Sequence, residues 1–221
     1  MDAPVSNRPS PTCTSYPVRA LVETARARIA RQAQYAALFA KGGSRAAAAR
    51  DWLEQAAACV TVLARPQAAR VPLSARTEGD GVMIAGKLVV GDRSIADGIS
   101  AGGRLSACLS TLAYDQAQAF DWLGRDYALL HVQTDLARET LFALARAADR
   151  DECGRFPGWR IRRIPVQAHG LCGQRHVWDA AQVQSLLSVF EGTNPGVGLT
   201  DTGFFQPLHS LLGLTLMRTP N

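Results

Sequence analysis

The chain has 221 residues, 47% of them hydrophobic and 19% charged, with a formal net charge of +5. That length carries one sizeable core, or a core with a small helical appendage, and the balance of apolar and charged residues excludes a disordered chain. The positive excess lies in scattered arginines, with short clusters at Arg26, Arg28 and Arg31 and at Arg160, Arg162 and Arg163. It lacks the dense basic stripe interleaved with aromatics that marks a nucleic-acid surface, and no apolar run approaches the roughly 18 residues of a membrane span.

Residues 1–16 hold Pro4, Pro9 and Pro11 among Ser, Thr and Asn, the composition of a flexible lead-in, and they lack the apolar core of a secretory signal. From Pro17 onward Val22, Ala25, Ile29, Ala33, Ala36 and Ala37 recur at helical spacing. Gly42-Gly43-Ser44 ends that helix, and Ala49, Trp52, Leu53, Ala56, Cys59, Val60 and Leu63 make a second. The pattern predicts a helical hairpin over residues 17–64 whose arginine-bearing face meets solvent. Turn chemistry at Pro72 and from Glu78 to Gly81 separates it from a main domain over residues 82–217.

Val82 to Val90 alternates and reads as one strand. Gly91 to Ser94 turns the chain, with Asp92 or Ser94 as N-cap of a short helix that Gly102-Gly103 stops. Arg104 to Leu112 is nearly all apolar or small, as in a strand covered on both faces. Tyr127, Leu130, Thr134, Ala137, Leu141, Leu144 and Ala148 step by three and four, which predicts the longest helix, with His131 and Glu139 off its apolar centre. Arg150 to Gly158 reads as a polar loop, and Trp159 to Val166 as a strand. An irregular loop follows from Gln167 to Val177, then a helix capped by Asp179. In Leu199 to Leu214, two apolar runs flank Pro207. Proline gives no ladder hydrogen bond, so this stretch reads as an edge strand, a bulge or two short strands closing a sheet. The order predicts an α/β or α+β fold, a mixed sheet with flanking helices preceded by the hairpin.

The five cysteines, Cys13, Cys59, Cys108, Cys153 and Cys172, are odd in number and widely spaced, which fits reduced thiols in a cytoplasmic protein better than a disulfide framework. His169, Cys172 and His176 stand in a His-x2-Cys-x3-His spacing, which puts three transition-metal ligands in one loop, with Cys153 as a remote fourth; the usual Cys-x2-Cys knuckle is absent. His209 and Ser210 are neighbours in a strand, point to opposite faces and form no dyad, and no Gly-x-Ser-x-Gly elbow occurs.

Gly196, Leu199, Thr200, Asp201, Phe204, Phe205, Pro207, Ser210 and Gly213 resemble the closing segment of the reactivation domain of cobalamin-dependent methionine synthase. That segment has a glycine, then Leu-Thr-Glu/Asp, an apolar or aromatic run, a proline, and serine and glycine close together. Ser110-Thr111-Leu112-Ala113 is similar to the family's Thr-Leu-Gly turn. A long helix with Glu139, an arginine-bearing strand, an irregular loop and a helix with Gln182 and Gln184 follow in the family's order. The resemblance covers roughly residues 82–217 and gives the helical hairpin no counterpart.

The resemblance implies an S-adenosylmethionine site in the loop after the arginine-bearing strand. There an arginine meets the methionyl carboxylate, a glutamate of the long helix accepts from the amine, and small residues open the backbone. Arg163 (or Arg162), Glu139 and Gly170, with His169 beside it, hold those positions here. The family's Pro-Gly-Tyr is missing, since Pro165 is followed by Val166 and Gln167, which leaves three outcomes: a site that keeps S-adenosylmethionine without that motif, one reshaped for another molecule, or one that is lost. The resemblance further implies a free-standing protein of methionine biosynthesis. It would dock on a corrinoid-binding methyltransferase or related enzyme subunit and support reductive methylation of that partner's cobalamin. The alternatives are a non-catalytic accessory subunit of the same fold, which assembles with or stabilises a partner enzyme, and a metal-binding protein.

Overall fold

A computed structural model describes residues 10–79, 81–124, 126–166 and 178–219. Strand β1 (Thr12–Ser15) precedes helices α1 (Val18–Ile29), α2 (Ala33–Lys41) and α3 (Gly43–Leu63). Strands β2 (Gln67–Leu73), β3 (Ala75–Glu78), β4 (Gly81–Ile84) and β5 (Leu88–Val90) follow, then α4 (Arg93–Ser100) and β6 (Arg104–Thr111). Helices α5 (Gln116–Leu123) and α6 (Tyr127–Arg155), strand β7 (Arg160–Val166) and helix α7 (Ala180–Leu187) come next. Short strands β8 (Gly198–Leu199) and β9 (Phe205–Gln206) lead to the closing strand β10 (Ser210–Arg218).

The central sheet has the order β1-β2-β6-β10-β7, with every pair antiparallel. Its two faces carry different cores. Leu105, Ala107 and Leu109 of β6 and Leu212, Leu214 and Leu216 of β10 alternate onto one face. They meet the β3-β4-β5 sheet, Ile95 of α4, Trp178, Val183 and Leu186 of α7, and Phe190. The opposite face lies under α1, α3 and α6, with Ile29, Val60, Leu136 and Leu144 fully enclosed. The helices read as a hairpin ahead of the main domain therefore share one core with α6 and with Ala68 and Leu211 of the sheet.

Several boundaries differ from the sequence expectation, each for a local reason. The first helix breaks after Ile29, and Gln32 caps a separate α2 with extended backbone. The redirected helix buries Tyr35, whose hydroxyl donates to Asp135 Oδ2 at 3.2 Å, while Ala33, Ala36 and Ala37 face out. The alternating run from Val82 to Val90 is a hairpin and not one strand: Ala85 and Gly86 sit at φ +51° and +71°, the left-handed conformations of a primed turn. Residues 67–73, which carry little pattern, form an inner strand. Pro72 is tolerated there because β1 pairs only with Gln67 to Arg70 and leaves its nitrogen without a neighbour to serve. Helix α6 runs on to Arg155 through residues read as loop, because Asp149 and Glu152 find arginine partners and Asp151 accepts from the Tyr16 hydroxyl at 2.8 Å.

The expected caps are present. Asp92 accepts from the backbone N–H groups of Ser94 and Ile95, and Asp179 forms a capping box with Gln182. Pro207 lies between β9 and β10 and outside the ladder, so β10 pairs without interruption on both sides; the Gln206–Pro207 peptide is cis.

Candidate functional site

Alternation dictates what faces α6. With the leucines of β6 and β10 turned to the other core, Arg70, Cys108, Thr215 and Arg163 on four adjacent strands point toward the long helix. Arg163 donates from Nε to Asp149 Oδ2 at 3.1 Å and from Nη2 to Asp149 Oδ1 at 2.9 Å, with a further bond from Nη2 to the Ala145 carbonyl at 3.1 Å. Arg70, 8% exposed, donates to the same Oδ1 at 3.0 Å and to Thr215 Oγ1 at 2.7 Å. Burial pushes the Cys108 thiol up, so it is an inert neighbour of Thr215. Arg163 Nη1 is buried without a partner among the described residues and lies near Gly213, where an added Cβ would fall 3.1 Å from the Ile164 carbonyl oxygen and in ordinary contact with Nη1 at 3.7 Å.

Glu139 stands elsewhere. Its Oε1 accepts from Gln32 Nε2 at 3.2 Å, and Arg28 lies 3.9 Å from its Oε2. It precedes Ala145 and Asp149, the residues that Arg163 reaches, by six and ten positions, about 9 and 15 Å along the helix axis. An amino-acid headgroup carries its amine and carboxylate on one carbon, so Arg163 and Glu139 do not form one clamp for it. Arg162 points to the other face of β7 and is exposed, near Asp92. His169, Gly170, Cys172 and His176 lie outside the described residues. Cys153 is half-buried near the end of α6, and among the described residues no group of three or more His, Cys, Asp or Glu is placed to hold a metal ion.

A second polar cluster occupies the sheet end where β7 finishes at Val166, opposite Leu212. Ser210 Oγ donates to Thr111 Oγ1 at 2.9 Å, and the same oxygen accepts from the Ala113 backbone N–H at 3.0 Å. Ala113 itself sits at φ +55°. On the helix side, His209 Nε2 is 3.0 Å from Gln116 Oε1, Gln116 Nε2 donates to Gln133 Oε1 at 3.1 Å, and Gln133 Nε2 donates to the Tyr114 hydroxyl at 2.7 Å. His209 and Ser210 thus have separate partners on opposite faces, as strand geometry requires. Burial pushes the imidazole down to about 4 and the Tyr114 phenol up. Near neutral pH these groups are uncharged donors and acceptors, suited to orienting a ligand or a loop and not to proton transfer. A cleft of about 420 Å³ lies beside them, lined by Asp115, Gly196, Gly198, Leu199, Gln206 and Pro207. Gln116, Gln133 and Tyr114 escape a reading of the sequence alone; the one local signal is the Thr-Leu-Ala turn just before them.

No helix of the described residues is long and apolar enough to cross a membrane. No family model matches the chain, and no curated protein does either. Among solved structures, the MetH reactivation domain bound to AdoHcy superposes with a TM-score of 0.60 at 15% sequence identity, covering 97% of this chain and 80% of that one. A span of that extent takes in the N-terminal helices as well as the sheet. The chain has the fold of the methionine synthase reactivation domain.

Proposed function

We propose that this chain binds S-adenosylmethionine or its demethylated product and supports reductive methylation of a corrinoid held by a partner methyltransferase. The observation that carries this reading is the likeness, over nearly the whole chain, to a reactivation domain solved with AdoHcy. The binding region is the sheet end at Val166, beside the Thr111–Ser210 and His209–Gln116 pairs and the neighbouring cleft; His169 and Gly170 follow Val166 in sequence and lie outside the described residues. The sulfonium group supplies the methyl transfer; this chain's residues bind, orient and keep water away. Arg163 and Glu139 do not fit as a joint grip on the amino-acid headgroup, because Asp149 and Gln32 already engage them.

That engagement favours a second reading, a non-catalytic subunit of the same fold that assembles with or stabilises a partner enzyme. Calorimetric titration with S-adenosylmethionine and with AdoHcy, using adenosine and methionine as part-ligands, separates the two. Saturable binding of either whole ligand supports the first. A folded protein that binds neither leaves the second.

A further inference from the structure

At the sheet end away from Val166, the last turns of α6 overhang the start of β6 and form with it a half-open cavity of about 420 Å³. Leu73, Arg104, Ser106, Glu152, Phe156 and Met217 are among its walls. Its volume falls within the range of about 300–1,000 Å³ typical of small-molecule sites. We propose that this cavity is a second ligand site, for a small molecule with one anionic group, carboxylate or phosphate, on a flat apolar body.

Three observations carry the assignment. The Arg104 guanidinium carbon lies 5.2 Å from the Phe156 ring centroid and 5.3 Å from that of Trp159, so two aromatic faces hold the charged head. The Arg104 guanidinium has no hydrogen-bond or ion-pair acceptor among the described residues, which leaves its N–H edges open for an anion. Glu152, the acid in the wall, is 6% exposed and already answered, with Arg155 Nη1 at 3.4 Å and Arg70 Nε at 3.9 Å. The charge left over at the cavity is therefore positive. Phe156, Leu73 and Met217 supply apolar surface for the ligand's body.

The backbone fixes the cavity's inner edge. A Cβ at Gly103 would lie 2.6 Å from the Gly98 carbonyl oxygen and 3.0 Å from that of Met217, so the end of α4 and the end of β10 close tightly there. The site is separate from the region at Val166. Arg104 and Thr111 are the two ends of β6, seven residues or about 23 Å apart.

The test is calorimetry of the full chain with phenyl phosphate and with benzoate, and with benzyl alcohol as the neutral control. Saturable binding of phenyl phosphate or benzoate is expected, and the stronger of the two identifies the anion. Arg104→Ala should weaken it about tenfold or more, the effect of losing a charge-assisted hydrogen bond, and Arg104→Lys should weaken it too by losing the planar stack. Both variants should keep the wild-type melting temperature, because Arg104 is exposed. No saturable binding of either anion, equal binding of benzyl alcohol, or unchanged affinity in Arg104→Ala would overturn the proposal. A titration with S-adenosylmethionine that is unchanged in Arg104→Ala keeps this site distinct from the one proposed above.

Discussion

Asp149 meets Arg163 edge to edge, carboxylate against guanidinium, with its two oxygens 3.1 and 2.9 Å from Nε and Nη2. The same carboxylate serves Arg70 at 3.0 Å, so one acid bridges two arginines between the sheet and α6, and Glu152, 3.9 Å from Arg70 Nε, supplies the second negative charge. The side chains of Asp149 and Arg163 are each 19% exposed and that of Arg70 10%. Asp149→Ala leaves Arg163 without its acid in a poorly solvated place and takes one of two acids from Arg70, and it should cost about 3–5 kcal/mol, read by urea denaturation. Arg163→Lys keeps the charge but loses the two-point geometry and should cost less. A stability within about 1 kcal/mol of wild type for Asp149→Ala would refute the arrangement as a determinant of the fold.

The N-terminal helices should not be removable. Ile29 of α1 and Val60 of α3 lie in the core that holds Leu136 and Leu144 of α6, all of them fully buried. A chain starting at residue 65 uncovers that whole face and should be insoluble or lack a cooperative transition. The milder Ile29→Ala should cost about 2–5 kcal/mol. A soluble, cooperatively melting fragment 65–221 would show that α1 and α3 are an appendage after all.

Which features could be read from the residues alone follows from what sequence patterns encode. Periodicity reports faces, so the α6 stripe from Leu130 to Leu144 and the doubly covered strand Arg104–Leu112 were legible, as were the Asp92 and Asp179 caps with their fixed local spacing. Ala85-Gly86 broke that logic, since an alternating run does not reveal a turn when a residue other than glycine takes positive φ within it. Arg163 was legible as a candidate partner for a ligand's carboxylate, but its partner within the chain, fourteen residues earlier, was not, because Asp149 sat at the edge of a stretch read as loop. The pairing of His209 with Gln116, 93 residues apart, is set by the tertiary fold and leaves no mark on either local pattern.

His209 gives the protein an acid-sensitive component of stability. Burial holds its folded value at about 4, against roughly 6.5 in an unfolded chain. On acidification the unfolded state takes up the proton first. The stability associated with neutral His209 is therefore full above pH 6.5, declines as pH falls and is lost through pH 4. The loss is on the order of 3 kcal/mol. His209→Gln removes the titration and should flatten the stability curve between pH 6.5 and 4. An equal slope in wild type and variant would mean that the imidazole is not shielded as its 5% exposure indicates.

Ala113 occupies a backbone conformation better suited to glycine. Its φ of +55° brings Cβ against its own backbone, at a cost of about 1–2 kcal/mol, and the Thr111 hydroxyl fastens it there by accepting from its N–H. Glycine relieves the clash but loses more entropy on folding, which returns about 0.4–1 kcal/mol. Ala113→Gly should therefore raise stability modestly, by about 0.5–1 kcal/mol, seen as a higher melting temperature with an unchanged denaturant slope. Gly103→Ala is the opposite case. Its new Cβ would fall 2.6 Å from the Gly98 carbonyl oxygen, a backbone atom that no rotamer change can move, so a loss of about 1–3 kcal/mol is expected. If Ala113→Gly lowers the melting temperature, the turn between β6 and α5 does not hold its alanine in the left-handed region.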